Sequence, residues 1–433
     1  MCYVLPGVSR WSGKGRQGWN RGRCLGPVAV GLLVWGGWVS SISLGPLSVG
    51  APAQAQVLLP VVRDGFLADP LADRPRDPLL PTPVVDRPLS PLEQWALEQA
   101  LDDLAQEADA LATANQPEAA RALWLREIRL RRVLGLDAEL TAIERVAQNL
   151  RDGNATPELQ LLAMRLDRIT PSLDPNQESD RRYVQTLATL YTTLGRVESA
   201  AALRRTLADV ALEQGDIREA QAQLEPLAVI YADWFYFPEA AATYGELVAL
   251  TQGEDEIRFL VGQIDALTQA QQWEAALVAQ QHLLNRYRED PTRWVLMAEL
   301  QYAMAQNHQR LGDGLQATRH YQVAYTNAIA GDQLDIAAQV LRALADLYGQ
   351  LALWPDVDYL YQQLLAVERQ ALDAYGLMET LDQLGQLYEQ TGNPGGALQA
   401  YTEALALAHQ LHYRQDYFLA QIQRLSAPAE SQL

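Results

Sequence analysis

The sequence predicts an all-α chain, a right-handed α-solenoid of antiparallel helix pairs, and two observations carry that prediction. A six-point pattern reads Ala305, His308, Gly312, Ala317, Tyr321, Ala324 and returns 80 residues on as Gly385, Tyr388, Gly392, Ala397, Tyr401, Ala404. Midway between them Ala345, Tyr348, Val357, Tyr361 and Leu364 hold matching offsets, so the interval is 40 residues, a period that marks stacked supersecondary units. Earlier in the chain, frames opening at Ala188, Ala208 and Ala228 are 20 residues apart, so the helix that closes one frame opens the next. The unit is then one helix of about 16 to 18 residues plus its turn, roughly 25 Å long.

Taken from the N-terminus, residues 1–55 read as a signal peptide. They carry Arg10, Lys14, Arg16, Arg21 and Arg23 and no acidic residue, then an uncharged apolar run from Leu25 to Gly50, then Ala53-Gln54-Ala55. Cleavage is expected after Ala55. The alternative is an uncleaved anchor, since the run approaches the ~20 residues that span a bilayer; that version keeps the N-terminus near a membrane. In both, the helical region is exported.

Residues 56–90 read as a Pro-rich disordered linker. Eight prolines fall between Val57 and Pro91, a density that opposes helix and starves a sheet of donors, so an extended spacer is expected, with a docking peptide as the alternative. Ser90-Pro91-Leu92-Glu93 then opens the folded region with a capping-box pattern and proline at the first helical position. Asn393-Pro394, Asp290-Pro291 and Thr156-Pro157 use the same device. Residues 91–180 hold degenerate helical units, 181–425 the clear repeats and 426–433 a tail, with about 16 or 17 helices and one continuous core. Pro226 falls inside an apolar helical pattern and predicts a kink, or a break near Glu225.

The strings LATLYTTLGRVESAAALRRTLA, YAMAQNHQRLGDGLQATRHYQVAY and LDQLGQLYEQTGNPGGALQAYTEALAL resemble tetratricopeptide (TPR) repeats over about Arg181 to Leu411, fading back to about Ser90. The 40-residue interval exceeds that family's usual 34 and implies longer helices. The resemblance implies a stack that binds other proteins along the inner face formed by the first helix of each pair. Exported TPR proteins of cyanobacteria that assist photosystem assembly are similar in having a signal peptide, an acidic groove and a TPR stack. A cyanobacterial periplasm or thylakoid lumen is therefore the narrower expectation, with a divalent metal held in that version.

Composition narrows the partners. Both cysteines, Cys2 and Cys24, precede the expected cleavage site, so the mature chain has no thiol for a disulfide, a metal or a nucleophile. Beyond residue 55 there are 29 arginines, no lysine and 53 acidic residues, a net charge of −24. That balance disfavours nucleic acid and favours basic or neutral protein segments. It also opposes the Lys-rich clamp with which some TPR domains hold acidic chaperone tails.

On the inner face the last repeats place Glu299, Tyr302, Gln306, Arg342, Asp346, Glu379, Asp382, Gln386 and Glu389, a groove richer in carboxylates than in cations. Tyr302 is its expected anchor. Trp234-Phe235-Tyr236-Phe237 stands at an inter-helix turn, where at least one ring is expected to be exposed for contact, against the plainer role of capping the Pro226 kink. Arg126, Arg129 and Arg132 form a stripe read as a solvated face, with Glu127 and Arg131 as an i,i+4 pair. No cofactor and no metal is expected: His409, His412 and Asp416 would share one face only if their helix continued, and a structural role is favoured for them and for His308 with His320. Short connections and the lack of HExxH, GxSxG, P-loop or GxGxxG motifs argue against an enzyme. A helical-barrel enzyme is the third reading, behind the non-catalytic scaffold.

Overall fold

The computed structural model describes residues 59–72, 76–81 and 87–426. The signal-peptide reading and the 426–433 tail beyond Ser426 lie outside these residues. Among them the regular structure is helical, and no helix is long and apolar enough to cross a membrane.

A short helix, α1 (Pro60–Leu67), precedes the stack. Hairpins follow as α2 (Pro91–Thr113) with α3 (Pro117–Arg131), α4 (Leu136–Asp152) with α5 (Thr156–Ile169), and α6 (Glu178–Thr193) with α7 (Val197–Glu213). Next come α8 (Ile217–Asp233) with α9 (Phe237–Leu250), α10 (Glu254–Gln269) with α11 (Trp273–Glu289), and α12 (Met297–Arg310) with α13 (Gly314–Ala330). The series closes with α14 (Leu334–Gln350) and α15 (Trp354–Gln370), α16 (Ala374–Gln390) and α17 (Pro394–Leu411), and α18 (Gln415–Ser426). Chain neighbours pack on each other along most of the series, except that α6 packs chiefly on α4 rather than on α5. From α13 to α17 each helix has 17 or 18 residues, the length the 20-residue step requires.

The pattern positions do the packing. Ala188, Ala208 and Ala228, and Ala200, Ala220 and Ala240, are all fully buried, letting adjacent helices approach closely. The glycines end helices: Gly195, Gly215, Gly312 and Gly392 all sit at φ between 71° and 76°, where a side chain is strained. Ser90 opens α2 with the expected reciprocal box, its backbone N–H donating to Glu93 Oε2 at 2.7 Å.

Three expectations are corrected. The proline-rich segment is not a featureless spacer where it is described. Pro60 takes the first helical position, where its missing N–H costs nothing, and Phe66, Leu67 and Leu80 are buried. Of the kink or break expected at Pro226, the break is ruled out, because α8 runs through it as one helix. Among the described residues the buried apolar side chains form six clusters rather than one continuous core; the largest of these spans α12 to α18, and another runs from α1 to α8.

Candidate functional site

Of the nine expected groove residues, Arg342, Asp346, Glu379, Asp382 and Gln386 come together at two adjoining clefts between α14, α15 and α16, while Glu299, Tyr302 and Gln306 on α12 and Glu389 on α16 line neither. One, of about 500 Å³, is lined by Asp346, Gln350, Trp354, Tyr361, Gln383, Gln386 and Gln390 among others. The second, of about 380 Å³, shares Asp346, Tyr361 and Gln383 and adds Arg342, Glu379, Thr380, Asp382 and Arg414. Glu299 is exposed on α12, and Gln306 is half-buried.

Several members behave differently from the expectation. Asp382 is only 3% exposed. It accepts hydrogen bonds from Arg414 Nη2 at 2.8 Å and from the Tyr417 hydroxyl at 2.9 Å. Glu389 is likewise held by Arg424, and by the Tyr401 hydroxyl at 2.7 Å. Burial pushes the Glu389 carboxyl up, but those hydrogen bonds outweigh it and leave the group below its ordinary value. Neither is a free groove carboxylate, because the α17–α18 turn and α18 lay Arg414 and Arg424 along α16. Arg342 is spent on the fully buried Glu368, which also accepts from the Thr380 hydroxyl at 3.1 Å. Burial pushes the Glu368 carboxyl up against the pull of Thr380 and Arg342.

What stays unpaired is Glu299, Asp346 and Glu379, for which the described residues supply no hydrogen bond or ion pair. Partial burial raises the Asp346 carboxyl above its ordinary value. The groove is therefore less acidic than its composition suggests. Tyr302 is half-buried against Tyr321, ring centroids 5.8 Å apart, and burial raises its hydroxyl. It belongs partly to the core, so its use as an anchor is reduced.

Three cleft-lining glutamines, Gln350, Gln383 and Gln390, escaped the sequence reading, although Gln383, Gln386 and Gln390 lie at i, i+3 and i+7 on α16. Each amide offers two donors and an acceptor, the complement of an extended backbone. Arg414 gave no signal, because it sits in the α17–α18 turn at φ 56°.

The remaining candidates separate. The helix α17 ends at Leu411 and His412 takes the left-handed region at φ 51°, so His409, His412 and Asp416 lack the shared helical face on which a metal reading depended. His308 and His320 do meet, their rings stacked at 5.0 Å. Trp234, Phe235 and Tyr236 are all exposed, Phe235 by 75%. Phe235 fills the left-handed turn position, φ 65°, that glycine holds in the hairpins at Gly195 and Gly312, and its ring meets Phe237 edge-on at 5.8 Å. The Trp234 ring lies over Gly195. The arginine stripe running from α3 into the 3-10 turn after it is no solvated face: Arg126 makes two 2.8 Å bonds to Asp77, and Arg132 donates to Phe66 O and Glu139.

No protein-family model matches the chain, and no curated protein does. Among solved structures it is similar to BtubC (BKLC) from P. vanneervenii, with 18% identity and a TM-score of 0.34 over 53% of this chain and 87% of that one. It is similar to aspartyl phosphate phosphatase F from Bacillus subtilis, with 12% identity and a TM-score of 0.39 over 66% and 77%. A tetratricopeptide repeat protein from Parabacteroides merdae gives 12% identity and a TM-score of 0.30 over 76% and 100%. These likenesses are distant.

Proposed function

We propose that the chain is an exported, non-catalytic helical-repeat scaffold that holds an extended segment of a partner protein along α12, α14 and α16. The observation that carries this reading is the pair of adjoining clefts sharing Asp346, Tyr361 and Gln383, lined by amides suited to a polypeptide backbone. With Asp382, Glu389 and Glu368 neutralised internally, Asp346 and Glu379 remain to meet a partner cation, so the fitting segment is polar with one or two basic residues. Export rests on the charge and apolar pattern of residues 1–55, and assembly of a larger complex is the use to which such a scaffold is put.

Photocrosslinking from Gln386 in the full chain, exported in its own host, tests this. One recurrent protein product, lost with Asp346→Arg while the helical circular dichroism is unchanged, is the expected result. Products unaffected by Asp346→Arg, or self-products alone, would remove the groove from function. Asp382→Arg is unsuited to the test, since it breaks a buried ion pair and perturbs the fold.

A further inference from the structure

The two clefts between α14, α15 and α16 differ in chemistry, and they follow one another along the helices. From the smaller to the larger, the lining moves from 342–346 to 345–350 on α14 and from 379–383 to 383–390 on α16. That is an advance of about four to five residues, roughly 6–8 Å at 1.5 Å per residue. An extended chain covers about 6.6 Å in two residues and turns residues i and i+2 to the same side. Consecutive same-side side chains of a bound strand therefore reach one cleft each.

The smaller cleft selects a cation. Arg342 and Arg414 line it, but each is matched by a carboxylate of this chain, Glu368 and Asp382. Asp346 and Glu379 are exposed and have no such match. Tyr361 completes the wall close by: burial, and then the charge of Asp346, raise its hydroxyl. A planar guanidinium offers five donors to two carboxylates and stacks on an aromatic face, where an ammonium is a compact, strongly hydrated point charge. The larger cleft selects an apolar group. The buried side chains of Ala345, Val357 and Leu387 line it together with the Trp354 ring. Gly349 lines it too, and a Cβ there would meet no heavy atom within 4 Å, so the space above this turn of α14 is open cleft rather than packed core.

We infer that the groove reads a two-residue code in an extended partner segment, an arginine for the smaller cleft and a large apolar side chain two positions away for the larger. This code rests on the groove reading proposed above and adds the identity and spacing of the side chains that are recognised. The guanidinium sits between Asp346 and Glu379 with its face toward Tyr361. The apolar side chain covers Gly349 beside Trp354, and the residue between the two faces solvent. Gln383 and Gln386 are left to hydrogen-bond the backbone of the strand.

Selection of phage-displayed random dodecapeptides on the full chain, with clones counter-screened on Asp346→Arg, is the test. Enrichment of an arginine and a large apolar residue at i and i+2, in either order, is expected. A fluorescein-labelled peptide of the most enriched sequence, read by fluorescence anisotropy, should bind at least tenfold more weakly to the double variant Asp346→Asn, Glu379→Gln. It should weaken as much on Gly349→Leu, whose side chain fills the larger cleft, and when its pair is respaced to i, i+1 or i, i+3. The two carboxylates are exposed, and leucine is the better helix former at an open position, so the variants should keep their helical circular dichroism. Peptides that Asp346→Arg abolishes but that lack the spaced pair, or that bind Gly349→Leu as tightly as the wild type, would overturn the code and leave the groove in function. A selection yielding no peptide sensitive to Asp346→Arg would overturn both.

Discussion

Gly385 shows how a single residue sets the spacing of two helices. A Cβ there would stand 2.5 Å from the Tyr401 ring, whereas the matching positions in the two preceding repeats are Ala305 and Ala345. In an isolated helix Gly→Ala gains about 1 kcal/mol, but displacing a fully buried tyrosine costs about 1–3 kcal/mol. Gly385→Ala should therefore lower the urea midpoint, and a raised midpoint would show that Tyr401 yields freely. Asp382 poses a similar contest between partners of unequal burial. Arg414→Met strands a carboxylate that is 3% exposed and is expected to cost about 3 kcal/mol. Asp382→Asn keeps two polar atoms in place and leaves a partly exposed guanidinium, so it should cost less; the reverse order in denaturant titrations would contradict the assignment. The histidine stack supplies a pH signature. Burial, and then the charge of His308, hold the His320 imidazole below its ordinary 6.5, with Gln301 on Nδ1 and Asp313 beyond His308. The unfolded chain then binds the proton more readily, so this stability is full above about pH 6.5 and is lost as pH falls through the folded value. The raised carboxyls of Glu127 and Glu368 act with the opposite sign, losing stability as pH rises. The wild type compared with His320→Gln isolates the imidazole: the variant should lose less stability between pH 7 and 5.

At the scale of the element, the turns explain what was legible in the sequence. Left-handed residues end helices throughout, and where glycine fills the position, as at Gly312 and Gly392, the hairpin could be read directly. Where Phe235, Ala352 or Leu372 fills it, at φ 65°, 56° and 56°, spacing alone revealed the turn. The shared cleft positions on α14 and α16 were readable for the same reason, since helical periodicity fixes which side chains share a face. Pairing across elements was not. Asp382 and Glu389 read as free carboxylates because Arg414 and Arg424 lie 32 and 35 residues away, on an element outside the repeat pattern. The α3 arginines read as a solvated stripe because Asp77, 49 residues before Arg126, stood in a segment whose prolines argued against order. The final helix is thus a structural lid for α16 and α17. It buries Phe418 completely and supplies Tyr417 and Arg424, with Arg414 from the turn before it. Phe418→Ala should cost about 3–5 kcal/mol. Truncation after Leu411 should leave α16 and α17 exchanging their amide hydrogens rapidly while α12 to α14 stay protected, and uniform protection would show that α18 is dispensable.

Across the whole stack, helices touch mainly their neighbours in sequence, so stability is a sum of local terms joined by interfaces and is expected to fail first where an interface is poor. The buried clusters change over near the joint between α11 and α12. A six-residue 3-10 turn, Pro291–Leu296, replaces the usual tight connection, and none of its residues is buried. The largest apolar cluster begins beyond it at Ala298, while a smaller cluster joins Leu283, Leu284 and Tyr287 to Leu300 and Met304 across the joint. An isolated domain under 150 residues usually unfolds in one step, but a long repeat array with a weak interface need not. Urea unfolding should therefore be non-coincident between fluorescence and circular dichroism, with the α12–α18 block and the α2–α8 block melting at different midpoints. The assignment of transitions can be forced: Leu344→Ala, in the C-terminal cluster, should shift one midpoint, and Ile143→Ala, in the N-terminal cluster, the other. If both substitutions moved a single shared transition, the interface at α11 and α12 would be strong enough to couple the stack, and a partner bound at α14 and α16 would then stabilise the whole chain rather than its C-terminal block alone.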